Sequence, residues 1–141
     1  MGDLSAHFSS KEFTCHCGCG GSIVQPSLIL ALEEVRALAG VPLRITSGYR
    51  CPAHNRAIGG ALKSEHMAGL AADVQCASLP ALYLAALHVP AIKGIGIYLK
   101  PDGWLHLDVR GHVSRWAEDG LKRKMDFATA AKILMERKAV T

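Results

Sequence analysis

Two short runs, Gly94–Leu99 and Trp104–Val109, constrain the fold more than any other part of this chain. They flank Lys100-Pro101-Asp102-Gly103, a turn in which Pro presets φ and Gly is expected to accept a positive φ. The second run alternates strictly. Leu105, Leu107 and Val109 share one face, and Trp104, His106, Asp108 and Arg110 share the other. In the first run Ile95, Ile97 and Leu99 fall together, leaving Gly94, Gly96 and Tyr98 opposite. The spacing predicts a hairpin with an apolar side for a core and a polar side with room above its glycines.

The rest of the chain supplies partners for that apolar side. Residues 1 to 22 read as an irregular arm. Pro26 opens a helix carrying Leu28, Ala31, Leu32, Val35, Leu38 and Ala39 at helical spacing, and Gly40 closes it. Leu43–Thr46 and Ala71–Gln75 read as strands, Pro52–Ile58 and Leu79–His88 as helices. Gly111–Lys124 reads as a polar loop, and Asp126 caps a final helix over 126–138. The expectation is one α+β domain, 1–141, with a small antiparallel sheet packed against helices and the chain a monomer.

Composition narrows the function. Half the residues are apolar and 20% charged, which excludes a disordered chain. No run approaches the ~20 apolar residues of a membrane span. The N-terminus lacks a basic start followed by an apolar segment, so no secretory signal is expected. The net charge of +4 comes without aromatic-basic interleaving, so nucleic acid is not an expected partner. Five cysteines without a signal fit reduced thiols. Cys15, Cys17 and Cys19 follow C-x-C-x-C, not the C-x2-C spacing of zinc knuckles. A redox-dependent pairing of that loop with Cys51 is therefore expected ahead of a second zinc site.

Chemistry concentrates in Ile45–Gln75 and the hairpin. His66 and Asp73 lie seven positions apart, Asp73 on a strand, and His106 on the hairpin's polar face supplies a third ligand. Two imidazoles and one carboxylate with an open fourth position describe a catalytic Zn2+ site. His112 is an alternative to His106. Hydrolysis also needs a base. Asp108 is the first choice, its other reading being a carboxylate that orients His106; Asp102 and Glu65 follow. Arg50 is a candidate to hold a substrate carboxylate or an oxyanion, or else a salt bridge that fixes its loop. Ser64 ties down the loop of His66, and with Arg50 and Tyr98 completes the candidate substrate-binding set.

Ser47-Gly48-Tyr49-Arg50, Ser64-x-His66-x-x-Gly69-x-Ala71-x-Asp73, Gly94-Ile-Gly-Ile-Tyr98, His106-Leu-Asp108-Val-Arg110 and Arg115-Trp116 follow one another in this order. Together they resemble the zinc D-alanyl-D-alanine carboxypeptidases, whose relatives include phage endolysin peptidases and, more distantly, hedgehog-type zinc domains. The resemblance implies zinc held by His66, Asp73 and His106 on the sheet. It further implies cleavage of peptidoglycan peptides, by a carboxypeptidase or endopeptidase, in a phage or prophage lysis setting. Such a protein would be made in the cytoplasm and act on the cell wall after release, or as part of a virion. Many members carry their catalytic acid three residues before the last zinc histidine, where this chain has Gly103. That departure leaves the base open and favours, as an alternative, a non-catalytic peptidoglycan-binding module with a structural zinc.

Overall fold

The structure is a computed structural model that describes residues 2–137. Its elements, in chain order, are α1 (Pro26–Ala39), β1 (Arg44–Ser47), α2 (Pro52–Ala57), β2 (Ala71–Gln75), α3 (Leu79–Leu87), β3 (Gly94–Tyr98), β4 (Trp104–Asp108), β5 (Ser114–Glu118), β6 (Lys124–Met125) and α4 (Phe127–Met135). Short 3-10 turns at Ser10–Phe13 and Glu65–Ala68 punctuate the arm and the loop before β2. The last helix, expected over 126–138, ends earlier, at Met135 with Glu136 as its C-cap; position 138 itself lies outside the described residues.

The fold is α+β, as expected, but the sheet is larger than expected. Six strands run in the order β1-β2-β4-β3-β5-β6, and all neighbours are antiparallel except β3 and β5. Gly94 pairs with both Asp108 and Ser114, so the chain leaves β4 and enters β5 at the same end, stepping across β3 through Val109–Val113. Hydrophobic alternation gave no sign of β5, because Ser114, Arg115, Trp116 and Glu118 are all only partly buried and Ala117 alone packs inward. The basic run Lys122–Lys124 closes the β5–β6 turn, where Asp119 accepts from the backbone N–H groups of Leu121 and Arg123.

One face of the sheet is core. Ala72, Val74, Ile95, Ile97, Leu105 and Leu107 are fully buried in a cluster with residues of α1, α3 and α4. On α1 the buried set is Leu28, Ile29, Ala31, Leu32 and Val35; Leu38, expected on that stripe, is 59% exposed. Gly40 ends the helix at φ 71°, the left-handed conformation its position predicted. Gly103 departs from expectation, since it is not among the residues at positive φ. Glycine is needed there for closeness: a Cβ would stand 2.6 Å from the Tyr98 carbonyl oxygen.

Candidate metal centre

Sheet register builds the opposite face into a row. Asp73 pairs with Ser47 and His106, His106 with Gly96, and Gly96 with Trp116. The two glycines of β3 matter because of what stands over them. A Cβ on Gly96 would lie 2.5 Å from the Trp116 indole, and one on Gly94 would collide with the Asp108 carboxylate.

His66 reaches the row from outside the sheet. Ser64 caps the 3-10 turn, its Oγ accepting from the His66 N–H at 3.2 Å, as expected of it. The Ser-Gly-Tyr-Arg segment wraps the same turn: Arg50 N–H donates to the His66 carbonyl, and His66 Nδ1 donates to the Gly48 carbonyl at 2.7 Å. That bond sets the tautomer and leaves Nε2 with a lone pair. His66 Nε2 is buried without a hydrogen-bond partner and lies 3.3 Å from Asp73 Oδ1.

His106 is oriented in the same manner. Its Nε2 donates to Asp108 Oδ2 at 2.7 Å, so Nδ1 faces Asp73 Oδ1, 3.4 Å away. Ligand atoms from His66, Asp73 and His106 all lie within 4.8 Å of one another, and all three residues are buried. An orphaned imidazole nitrogen, a second imidazole nitrogen and a carboxylate oxygen converging in this way fit a divalent cation such as zinc. His112, the alternative to His106, is exposed and outside the cluster.

Protonation supports the fit. Burial acts to raise the Asp73 carboxyl, but hydrogen bonds and charge from His106 and His66 outweigh it and hold Asp73 well below the usual carboxylate range. Burial acts to lower His106, and the Asp108 and Asp73 carboxylates outweigh it, so His106 binds a proton more tightly than an ordinary histidine. A cation at Nδ1 competes with that proton.

The wall above the site comes from the part of the chain that read as a loop. The Trp116 ring lies 4.7 Å from the His106 ring, and its indole N–H donates to the Tyr98 hydroxyl at 2.9 Å. Tyr98 in turn stacks on Trp104 at 4.8 Å, and Arg110 lies over Trp116. Burial raises the Tyr98 phenol, so it keeps its proton. These groups line an open cleft of about 740 Å3 together with Arg50, Lys63, Glu65, His66, Asp73 and Glu118.

Compared with known protein families, residues 6–108 match peptidase M15. The chain belongs to this family. It is therefore a zinc metallopeptidase at the level of the family, the one its motifs resemble. No curated protein matches it closely enough to count as a relative.

For this M15 peptidase the structure sorts the carboxylates near His106. Asp108, the first choice for the base, is fully buried behind the ring, on the side of His106 away from Asp73. Arg110 binds it through Nε, a terminal nitrogen and the backbone N–H, at 2.7–3.1 Å. Asp102 is exposed in the turn and lines a different cavity, of about 590 Å3, with Arg44, Gln75 and Arg137. Glu65 borders the cleft, and so does Glu118, which no sequence signal singled out.

Arg50 is held from two sides. One terminal nitrogen lies 3.4 Å from Asp73 Oδ2 and the other 3.3 Å from Asn55 Oδ1. Asn55, another residue that the sequence did not mark, is buried and donates to the Ala61 carbonyl at 2.8 Å, which ties the Gly59–Lys63 loop to the site.

Proposed function

We propose that His66 Nε2, Asp73 and His106 Nδ1 hold a zinc ion, and that the protein hydrolyses peptide bonds in the stem peptides or cross-links of peptidoglycan. The observation that carries this reading is the convergence of those three ligand atoms on the floor of an open cleft. Zinc on two neutral imidazoles and a carboxylate, when bound, polarises a carbonyl and lowers the pKa of water toward ~7.

The chain's own residues do the rest. Asp108 orients His106 and keeps its Nε2 protonated, so Nδ1 is the ligating atom. Arg50 steadies the second Asp73 oxygen. Tyr98 keeps its phenolic proton and, from the cleft wall, donates a hydrogen bond to the oxygen of the scissile carbonyl as charge develops there. Glu65 and Glu118 both line the cleft, and one of them takes the proton from water and returns it to the leaving amine. A substrate carboxylate, as carboxypeptidase action requires, meets Arg50, Lys63 or Arg110 on the cleft wall.

The burial of Asp108 favours a second reading, a peptidoglycan-binding module in which zinc is structural. Incubation with purified sacculi and mass spectrometry of the supernatant separates the two. Release of stem-peptide fragments, abolished by chelation and by His106→Ala, is the expected result. Fragments shortened by one terminal residue identify a carboxypeptidase, and cleaved cross-links an endopeptidase. Binding to sacculi without release supports the module instead, and activity that survives both treatments rejects the zinc site. We further propose a phage or prophage lysis role: the chain, exported to the periplasm of a Gram-negative host, lyses cells that tolerate it in the cytoplasm.

A further inference from the structure

A second group of metal-ligating side chains lies outside the cleft. The sulfurs of Cys15, Cys17, Cys19 and Cys51 all stand within 4.8 Å of one another, and all four cysteines are free thiols. Cys15 Sγ and Cys17 Sγ are 3.5 Å apart, as are Cys17 Sγ and Cys51 Sγ. A disulfide brings two sulfurs to about 2.05 Å and leaves the others aside. Four sulfurs about 2.3 Å from one zinc stand about 3.8 Å apart along the edges of a tetrahedron. The observed spacing brackets that edge.

The backbone is built around the group. Cys15, Cys17 and Cys19 alternate along the chain, and Gly18 and Gly20 curl it with φ of 87° and 80° where no neighbour restricts the space. The Cys15 N–H closes the loop on the Gly21 carbonyl at 2.8 Å. Three backbone N–H groups point at sulfur: Cys51 at Cys15 Sγ (3.3 Å), His54 at Cys51 Sγ (3.4 Å) and Gly21 at Cys19 Sγ (3.3 Å). Donors aimed at sulfur favour thiolates, the form that ligates a metal.

We propose that these four cysteines form a tetrathiolate zinc site, separate from the cleft, that clamps the N-terminal arm to the segment carrying Arg50. The C-x-C-x-C spacing lacks a second pair because the fourth ligand comes from Cys51, the N-cap of α2, 32 positions after Cys19. Cys51 directly follows Arg50, so the clamp fixes the chain where it delivers a guanidinium to Asp73. With four soft sulfur ligands and no open position the site is structural.

Metal analysis of the full chain, purified under reducing conditions without chelator, should return about two zinc per chain. His66→Ala with His106→Ala should leave one, and Cys17→Ser with Cys19→Ser should leave the other. A serine variant that fails to fold would also lose its ion, so the wild-type chain is tested directly. Exchange with cobalt(II) should produce intense sulfur-to-metal charge-transfer absorption in the near ultraviolet. A mercurial thiol reagent should release one ion in step with the four thiols. A folded, cobalt-loaded chain without that absorption overturns the proposal. So does a purified chain in which mass spectrometry finds Cys17 and Cys51 joined as a disulfide. Because the readouts are sulfur-to-metal absorption and the state of the thiols, neither result depends on whether the cleft is a peptidase.

Discussion

At the scale of single residues, the site turns on which nitrogen of each histidine carries a proton. His66 gives its Nδ1 proton to the Gly48 carbonyl and His106 gives its Nε2 proton to Asp108, so opposite nitrogens are left to face Asp73. Removing the Asp108 charge should therefore act through His106. Asp108→Asn is expected to weaken zinc binding in the cleft roughly 10- to 100-fold, the usual cost of losing a ligand's orienting carboxylate. The pH dependence has a definite sign. His106 has its pKa raised, so protons compete for its Nδ1 more strongly than at an ordinary histidine and cleft zinc is lost as pH falls. At a fixed free zinc concentration the weaker binding of Asp108→Asn moves the midpoint of zinc loss to higher pH. Zinc occupancy against pH in both proteins checks this, and an unmoved midpoint would remove Asp108 from its assigned role. The base is tested the same way. One of Glu65→Gln and Glu118→Gln should lower kcat on stem peptides by about 100-fold or more while zinc content stays unchanged.

At the scale of elements, β5 makes the cleft and the β3 glycines let it do so. Gly96→Ala would push the Trp116 indole off the sheet, since the new Cβ would sit 2.5 Å from it. Trp116→Ala removes the same wall and the N–H that holds Tyr98. Both variants are expected to lose activity with the cleft zinc retained, Trp116→Ala through KM as well as kcat. The core face of the same strands carries stability instead. Leu107 is fully buried opposite the row of ligands, so Leu107→Ala should cost about 2–5 kcal/mol in a denaturant titration and leave the metal stoichiometry of the folded fraction unchanged.

At the scale of the molecule, a single cluster of buried side chains runs from Phe8 and Phe13 in the arm through the sheet to Leu134 in α4. We propose that residues 1–141 form one folding unit with no separable arm. Thermal unfolding should then show one transition by both near- and far-ultraviolet circular dichroism, and an earlier loss of one signal would show otherwise. No described helix is long and apolar enough to cross a membrane. Part of the positive charge faces the site, since Arg50, Lys63, Arg110, Arg115 and Lys124 line the cleft.

The sequence by itself determined the elements whose signals are local. A proline at the first position and a glycine just past the end bounded α1. Alternation placed His106 on the face opposite Leu105 and Leu107, and β2 occupies Ala71–Gln75 as its residues predicted. Asp73 and His106, two of the proposed metal ligands, sit on strands that their near neighbours marked, because strand parity is local. What needed the tertiary structure was whatever depends on neighbours distant in the chain. β5 forms because β3 offers it an edge and two small residues, and not because of any pattern of its own. Asp108 reads as a base from its position two residues after His106; only the folded chain shows Arg110 and His106 closing over it. The sequence pairs the cysteine loop with Cys51 as a redox partner; only the folded chain gathers all four sulfurs in one cluster. Local chemistry selects which side chains can act, and the pairing of distant strands and loops decides which atoms meet.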